Sequence, residues 1–372
     1  MRFMRVLPDG SGTSHLARLA RYAAVSSFLA LHCDRRLRKL VDEATPIGSG
    51  IGGTVALLET EGIPVFVKRV PLTDLERRPE NVMSTANLFQ LPPFYQYGVG
   101  SAGFGAWREL AAHAMTTNWV LGKQCESFPL MYHWRVLGGP PPRTSTSEEQ
   151  ADLARTVAYW DGSPAVRGRL EALARSTASV ALFLEYIPQN LHEWLTTQVA
   201  RGDDAVDNAC AMVEQSLSSD IPFMNSSGLL HFDAHFRNIL TDGRRLYIAD
   251  FGLATSSRFD LSKGEARSLG ENMSHDRCYT VTQWVNWLVT ALSGAADRNG
   301  FIRGCAEGGD PVGVPASAAA VIERYAPVAA IMNAFYRKLH LESRATAYPL
   351  DEIRRVCATI GFDVDFSLAP PV

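Results

Sequence analysis

The segment from His231 to Gly252 constrains the fold more than any other part of this chain. It begins with the run His231-Phe232-Asp233-Ala234-His235-Phe236-Arg237-Asn238. Twelve residues after Asn238 comes the triplet Asp250-Phe251-Gly252. The connecting residues have the pattern of two short strands joined at Thr241-Asp242-Gly243, and Asp-Gly is a strong hairpin signal. One hairpin therefore brings two carboxylates and an amide to the same place.

Those side chains suit one kind of chemistry. A carboxylate held by a tight loop, such as Asp233, can accept a proton from an attacking hydroxyl. The amide oxygen of Asn238 and the carboxylate of Asp250 are hard oxygen ligands of the kind that Mg²⁺ prefers. Because the residue types occur in this order and with these spacings, chance polar residues beside a hairpin are the weaker interpretation.

A second motif lies nearer the N-terminus and satisfies the pattern G-x-G-x-x-G-x-V. Its residues are Gly48-Ser49-Gly50-Ile51-Gly52-Gly53-Thr54-Val55. Glycines let backbone N–H groups approach phosphate oxygens. A dinucleotide-binding loop would lead into a helix, whereas Thr54–Leu58 has the pattern of a strand. We therefore predict a strand–loop–strand flap.

Lys68 ends the apolar run Val65-Phe66-Val67, twenty residues after Gly48. A lysine in this place can pack its stem in a core and hold nucleotide phosphates with its ammonium group. A surface lysine on an edge strand is the alternative. Strand patterns lie towards the N-terminal half of the chain and helical patterns dominate the C-terminal half, which predicts the α+β class with two lobes.

Together, these motifs resemble those of the protein-kinase-like superfamily. That superfamily includes eukaryotic-type Ser/Thr protein kinases and the aminoglycoside and choline phosphotransferases. The resemblance runs from about Pro46 to Val289. It implies a small β-rich N-lobe and a larger helical C-lobe, with ATP and Mg²⁺ bound in the cleft between them. It also implies transfer of the γ-phosphoryl group of ATP to a hydroxyl.

The resemblance assigns roles residue by residue. Asp233 would be the catalytic base, Asn238 and Asp250 would hold magnesium, and Lys68 would contact the α- and β-phosphates. The phosphates would be covered by Gly48, Ser49, Gly50, Ile51, Gly52, Gly53 and Val55. The strand pattern Val180–Ile187 would end in the hinge, so that backbone groups of Glu185 and Ile187 would face adenine.

The carboxylate partner of Lys68 is left open by the sequence. Glu109, in a predicted helix over 106–120, is our choice. Glu76 and Glu80 are rivals, because the gap from Lys68 to Glu109 is long for this superfamily. Asp276 can anchor the catalytic loop from a buried helix, or cap that helix.

Three departures bear on the acceptor. Phe232 replaces the arginine that normally pairs with a phosphorylated loop, which suggests activity independent of loop phosphorylation. His235 stands where Ser/Thr kinases usually have lysine, as in small-molecule phosphotransferases, although a purely structural histidine is equally compatible. No Ala-Pro-Glu follows Asp250. A Ser/Thr-type protein kinase is our first prediction, a small-molecule O-phosphotransferase the alternative, and a pseudokinase binding module the second alternative.

The domain organisation follows from these assignments. Residues 1–45 form an N-terminal helical extension, 46–187 the N-lobe with insertions at 71–105 and 138–178, and 188–372 the helical C-lobe. The extension has a basic face that we expect to be solvated. The second insertion is expected to pack on the outside of the domain rather than over the substrate.

Composition sets the remaining limits. The formal net charge of −3 gives no field that would recruit nucleic acid. Six scattered cysteines without CxxC spacing predict reduced thiols and a cytoplasmic location. The uncharged stretch 278–296 contains several polar residues, so we expect a buried helix rather than a membrane span.

Overall fold

An antiparallel sheet of five strands forms the first half of the protein. The computed structural model describes residues 14–50, 53–139 and 146–364, and of Ser49 and Gly50 the backbone alone. Within these residues the strand order is β1-β2-β3-β5-β4. The strands are β1 Thr45–Gly50, β2 Gly53–Thr60, β3 Ile63–Leu72, β4 Met131–Gly138 and β5 Ala178–Glu185.

Two hairpins build the first three strands. β1 pairs with β2 up to Gly50 opposite Gly53, so the predicted strand–loop–strand flap is confirmed. β2 turns into β3 at Glu61 and Gly62, both of which have a positive φ, and this is where the sequence places a turn. β3 then pairs with β5, which puts Lys68 opposite Leu182 in the middle of the sheet. Lys68 is therefore not on an edge strand.

The helices cover the sheet and form the second half of the protein. In chain order they are α1 His15–Ala30, α2 Asp34–Glu43, α3 Ala106–Leu121, α4 Ser147–Tyr159, α5 Pro164–Ala174, α6 Leu191–Arg201, α7 Asp203–Ser226, α8 Lys263–Glu271, α9 His275–Leu288, α10 Arg298–Ala306, α11 Ala316–Leu341 and α12 Leu350–Ile360. The N-terminal helical stretch divides into α1 and α2, both packed against β4. The α+β class predicted from the sequence is confirmed.

Helix α9 forms the centre of the helical half, where it packs against α7 and α11. Its threonines are buried, and their hydroxyls donate within the helix, as Thr282 does to the carbonyl of Cys278 at 2.6 Å. This satisfies the polar groups that distinguish the segment from a membrane span. No helix of the described residues is long and apolar enough to cross a bilayer.

Short strand pairs connect the two halves. The hairpin of β8 Ile239–Thr241 and β9 Leu246–Ile248 lies beside β6 Gln189–Asn190. Gly243 has a φ of 82° at the hairpin turn. The second pair is β7 Leu229–Leu230 with β10 Thr255–Ser256. The second pair joins the two ends of the segment from His231 to Gly252, and the hairpin lies inside that segment.

Candidate active site

Two cavities meet beneath the sheet. The hinge cavity, of about 490 Å³, is bounded by the end of β5 and the following residues 185–190. The glycine cavity, of about 560 Å³, is bounded by the glycine-rich loop 98–105 and by α5. They share a common wall made of Val55, Phe66, Lys68, Asn238 and Asp250. A ligand can therefore extend from one cavity into the other past Lys68.

Lys68 lies between two carboxylates at this wall. Its Nζ is 2.6 Å from Oε1 of Glu109 and 2.8 Å from Oδ1 of Asp250. Burial alone would lower the pKa of Lys68, but the negative charges of Asp250 and Glu109 outweigh it and raise the pKa above its ordinary value. Lys68 is therefore a fixed positive charge in the cleft.

The structure places Glu109, rather than Glu76 or Glu80, beside Lys68. Glu109 lies in the first turn of α3, whose N-terminal part faces the cleft. Glu80 lies in a single 3₁₀ turn, and Glu76 instead binds Arg169 at 2.9 Å and the backbone N–H of Ala106 at 2.8 Å. Burial and the charge of Asp250 raise the pKa of Glu109, while Lys68 opposes them.

Asp233 also lines the glycine cavity, where it contacts Asn238 of the shared wall. The side-chain amide of Asn238 donates to the carbonyl of Asp233 at 3.0 Å and to its Oδ2 at 3.2 Å. This leaves the amide oxygen of Asn238 available for a cation. Burial and the nearby charge of Asp250 raise the pKa of Asp233 to about 7, against the opposing effects of Asn238 and Lys68. A carboxylate with this pKa is suited to general-base work near neutral pH.

Asp276 holds the loop that carries Asp233. Asp276 lies at the buried start of α9. Its carboxylate accepts the backbone N–H of His231 at 2.6 Å and that of Phe232 at 2.8 Å. Asp276 therefore anchors the loop, as one of the two interpretations from the sequence predicted. It does not cap α9, because the N-cap residue of that helix is Ser274. Phe232 and Asp250 both have a φ of 62°, a strained conformation for such residues that recurs at functional sites.

His235 faces both Asp233 and the cavity. Its Nε2 is 3.8 Å from Oδ1 of Asp233, and the backbone N–H of Arg237 donates to its Nδ1 at 3.2 Å. Burial lowers the pKa of His235, and the neutral ring therefore carries its proton on Nε2, the nitrogen nearest Asp233. His235 is thus a hydrogen-bond donor that lines the glycine cavity beside Asp233.

The predicted phosphate loop lies at the mouth of the glycine cavity. Gly48, Gly53 and Val55 line it. Gly53 has a φ of 129°, and a Cβ there would overlap the carbonyl of Arg69, so no other residue fits. Ser49 and Gly50 take part in the backbone pairing of β1 with β2. Ile51 and Gly52 lie outside the described residues.

The hinge differs from a simple strand end. Glu185 and Ile187 line the hinge cavity, but the backbone N–H of Glu185 donates to the carbonyl of Leu130 at 2.7 Å. The backbone N–H of Glu185 is therefore not available for the contact with adenine that the sequence predicted. The side chain of Glu185 is buried and binds Arg18 of α1 through Nη2 at 2.7 Å and Nε at 3.0 Å.

Arg18 corrects the expectation of a solvated basic face on the N-terminal extension. It is fully buried, and it also donates to the carbonyls of Glu126 and Phe128 at 2.8 and 2.6 Å. A buried arginine with all these acceptors is an integral part of the packing at the end of β5. The basic residues of α2, by contrast, are exposed on the surface.

The loop 98–105 is a part of the site that the motifs did not indicate. A Cβ on Gly98 would stand 2.8 Å from Cγ of Asp233, and one on Gly103 would overlap the carbonyl of Gly252. The signal was present in the sequence, since Gly98, Gly100 and Gly103 repeat the G-x-G-x-x-G spacing. Without strand or helix patterns around it, this spacing was too weak to place the loop.

The first insertion also binds the segment after Asp250-Phe251-Gly252. Gln96 donates to the carbonyl of Leu253, and Tyr97 donates to Asn272 at 2.8 Å. Arg108 at the start of α3 forms a buried ion pair with Glu265 of α8 at 2.7 Å. This segment is therefore ordered by neutral and ionic contacts within the chain.

The second insertion reaches the site as well. Arg169 and Leu173 of α5 line the glycine cavity. The expectation that this insertion packs only on the outside is therefore wrong for α5. Its hydrophobic residues fold against those of 91–104, including Tyr95 and Trp160, whose ring centroids are 4.5 Å apart.

Oxygen donors for a cation lie in the wall that the two cavities share. Among the described residues, no cluster of three or more His, Cys, Asp or Glu side chains could hold a metal on its own. Mg²⁺ commonly takes only one or two protein carboxylates and completes its coordination with phosphates and water. The carboxylate of Asp250, with 49% of its side chain exposed, and the amide oxygen of Asn238 fit that mode.

No protein-family model matches the chain, and no curated protein matches it.

Proposed function

We propose that this protein is an ATP- and Mg²⁺-dependent phosphotransferase with a two-lobed, protein-kinase-like fold. The observation that carries the proposal is the position of Lys68, which contacts Glu109 and Asp250 at the wall shared by two cavities. Asp233 and Asn238 line the glycine cavity together with Lys68. A nucleotide with its base in the hinge cavity would extend its phosphates past Lys68.

The proposed step is an in-line transfer. The acceptor oxygen forms a bond to the γ-phosphorus, the bond from that phosphorus to the β–γ bridging oxygen breaks, and ADP leaves. The acceptor proton passes to the carboxylate of Asp233. Asp250 and Asn238 would hold Mg²⁺, which supplies neutralisation of the phosphate charge. Asp276 keeps the loop of Asp233 in place, so that little reorganisation is needed during the step.

Two acceptor classes are proposed. The glycine loop and Asp-Phe-Gly favour a protein Ser or Thr hydroxyl. The enclosure of Asp233 favours a small molecule instead, because only 21% of its side chain is exposed and loop 98–105 covers it. The second class matches the size of the glycine cavity, which lies in the range of small-ligand pockets.

Transfer from γ-labelled ATP tests the proposal. We expect label to move to a hydroxyl acceptor when purified protein is supplied with Mg²⁺ and a panel of generic proteins and hydroxylated small molecules, and to stay on ATP when EDTA is added. Label on protein would support the first acceptor class, and label on a small molecule the second. Nucleotide binding without transfer would instead indicate a pseudokinase, and absence of binding would contradict the proposal.

Gly98→Ala is expected to impair transfer without unfolding the protein. The added methyl group must displace either loop 98–105 or the carboxylate of Asp233, and a shift of about 1 Å at a reacting group can cost roughly 100-fold in rate. The measurements are the transfer rate and the melting temperature.

Gly168→Ala is the matched control for that variant. Gly168 lies in α5, in the second insertion, and a Cβ there meets no atom within 4 Å. We expect it to leave the rate unchanged. Equal rates for Gly98→Ala and Gly168→Ala would show that loop 98–105 does not restrict Asp233.

A further inference from the structure

The glycine cavity contains a positive charge that the proposed transfer does not use. Arg169 lines the cavity from α5, and only 2% of its side chain is exposed. Burying the charge of an arginine costs free energy unless the charge is paired, either with a protein group in a structural role or with a bound ligand. The contacts of Arg169 distinguish these two cases.

Arg169 is held in place from two sides and is only partly satisfied. Nη1 donates to Oε2 of Glu76 at 2.9 Å, and the guanidinium group lies over the ring of Phe89, 5.1 Å from its centroid. Nε is buried and has no hydrogen-bond partner among the described residues, and the structure gives Nη2 no protein acceptor there either. Nε and Nη2 of this fixed guanidinium group therefore have no protein acceptor among the described residues.

Glu76 does not require Arg169 for all of its hydrogen bonds. It also accepts from the backbone N–H of Thr73 at 2.9 Å, from the hydroxyl of Thr73 at 2.6 Å and from the N–H of Ala106 at 2.8 Å. The carboxylate is thus well solvated by neutral donors. Arg169 has more donors than this partner uses, and its side chain lines the cavity.

From this arrangement we infer that Arg169 binds an oxyanion in the glycine cavity, and that the acceptor is a small hydroxylated molecule bearing a phosphate or carboxylate group. Guanidinium groups bind such oxyanions through paired N–H donors. Since the inference names the acceptor of the proposed phosphotransferase, it rests on that function. The same chemistry can also be supplied by the γ-phosphoryl group of ATP, and the test below separates the two sources.

The test measures binding of inorganic phosphate to the full chain by calorimetry, without nucleotide, with MgADP and with the Mg²⁺ complex of a non-hydrolysable ATP analogue. We expect Arg169→Gln to weaken phosphate binding by roughly tenfold or more, as for the loss of a charged hydrogen bond. Phosphate that binds beside the analogue indicates the acceptor group. If phosphate binds beside MgADP but is displaced by the analogue, Arg169 does bind an oxyanion, but that oxyanion is the γ-phosphoryl group of ATP. This result overturns the assignment to the acceptor.

Two variants exclude a merely structural role for Arg169. Glu76→Gln breaks the same ion pair but keeps the arginine, and we expect it to bind phosphate at least as well as the parent protein. Arg108→Gln breaks the buried ion pair between α3 and Glu265, does not touch the glycine cavity, and should leave phosphate binding unchanged. The double variant Glu76→Gln/Arg169→Gln restores charge balance if Arg169→Gln does not fold, and it should lose phosphate binding.

The inference is overturned if the parent protein does not bind phosphate in any nucleotide state. It is also overturned if Arg169→Gln binds phosphate normally, or if Arg169→Gln, Glu76→Gln and Arg108→Gln weaken it equally. Because the nucleotide-free measurement requires neither ATP binding nor transfer, failure of the proposed function leaves its result readable.

Discussion

Asp233→Asn is expected to reduce phosphoryl transfer by about 10²- to 10⁴-fold, the usual contribution of a general base. The amide has the shape of the carboxyl group but cannot take the acceptor proton. Nucleotide affinity should change little, because Lys68, Asp250 and the hinge cavity are untouched. The measurements are kcat for transfer and the Kd for MgADP.

The pH dependence gives this variant a second readout. The pKa of Asp233 is raised to about 7 by burial and by Asp250. The carboxylate form is the active base, so the parent rate is expected to be constant above that pKa and to fall about tenfold per pH unit below it. The residual activity of Asp233→Asn should lack this fall.

Asp204→Asn is the control for that prediction. Asp204 is exposed in the first turn of α7 and lines neither cavity, and its replacement should leave the rate and the pH profile as they are. Transfer by Asp233→Asn at the parent rate would mean that another group takes the proton.

Arg18→Met is expected to lower the free energy of unfolding by about 3–5 kcal/mol, the cost of leaving one member of a buried ion pair without its partner. The pair with Glu185 is buried on both sides, and Arg18 makes two further hydrogen bonds to backbone carbonyls. Arg21, at 3.5 Å from Glu185, compensates only in part because it is half-buried and farther away. Urea unfolding measures the loss.

Glu185 also lines the hinge cavity, so weaker binding of MgADP should accompany the loss of stability. Arg18→Met/Glu185→Leu is expected to recover much of the stability, since apolar residues of similar volume can replace a buried pair at little cost. Arg35→Met, at an exposed position of α2, is the control and should stay within about 0.5 kcal/mol of the parent. A change for Arg18→Met as small as that of the control would rule out a structural role for the pair.

The sequence predicts the parts of this structure that depend on local pattern. The α+β class, the β1–β2 flap and the β8–β9 hairpin are confirmed, because glycine spacing, Asp-Gly and strand periodicity act over a few residues. The roles of Asp233, Asn238 and Asp250 stay predictions, although the structure brings these residues to the same cavity.

Long-range contacts could not be predicted in the same way. The burial of Arg18 depends on Glu185, which is 167 residues later, and a basic helix face looks the same whether its partner is protein or water. Loop 98–105 has no helix or strand periodicity, so its position against Asp233 is set only by tertiary contacts. Glu109 was one of three candidates because its distance from Lys68 depends on how α3 packs.

The contacts of the first insertion and of α3 bear on when the candidate site can form during synthesis. Gln96 and Tyr97 bind residues that follow them by 157 and 175 positions, and Arg108 binds Glu265 over a similar separation. A ribosome releases the N-terminal residues first, so the sheet can fold while these partners are still being added. The contacts that hold the loop over Asp233 can therefore form only after α8 and Asn272 have emerged, and this part of the candidate site is completed later than the sheet.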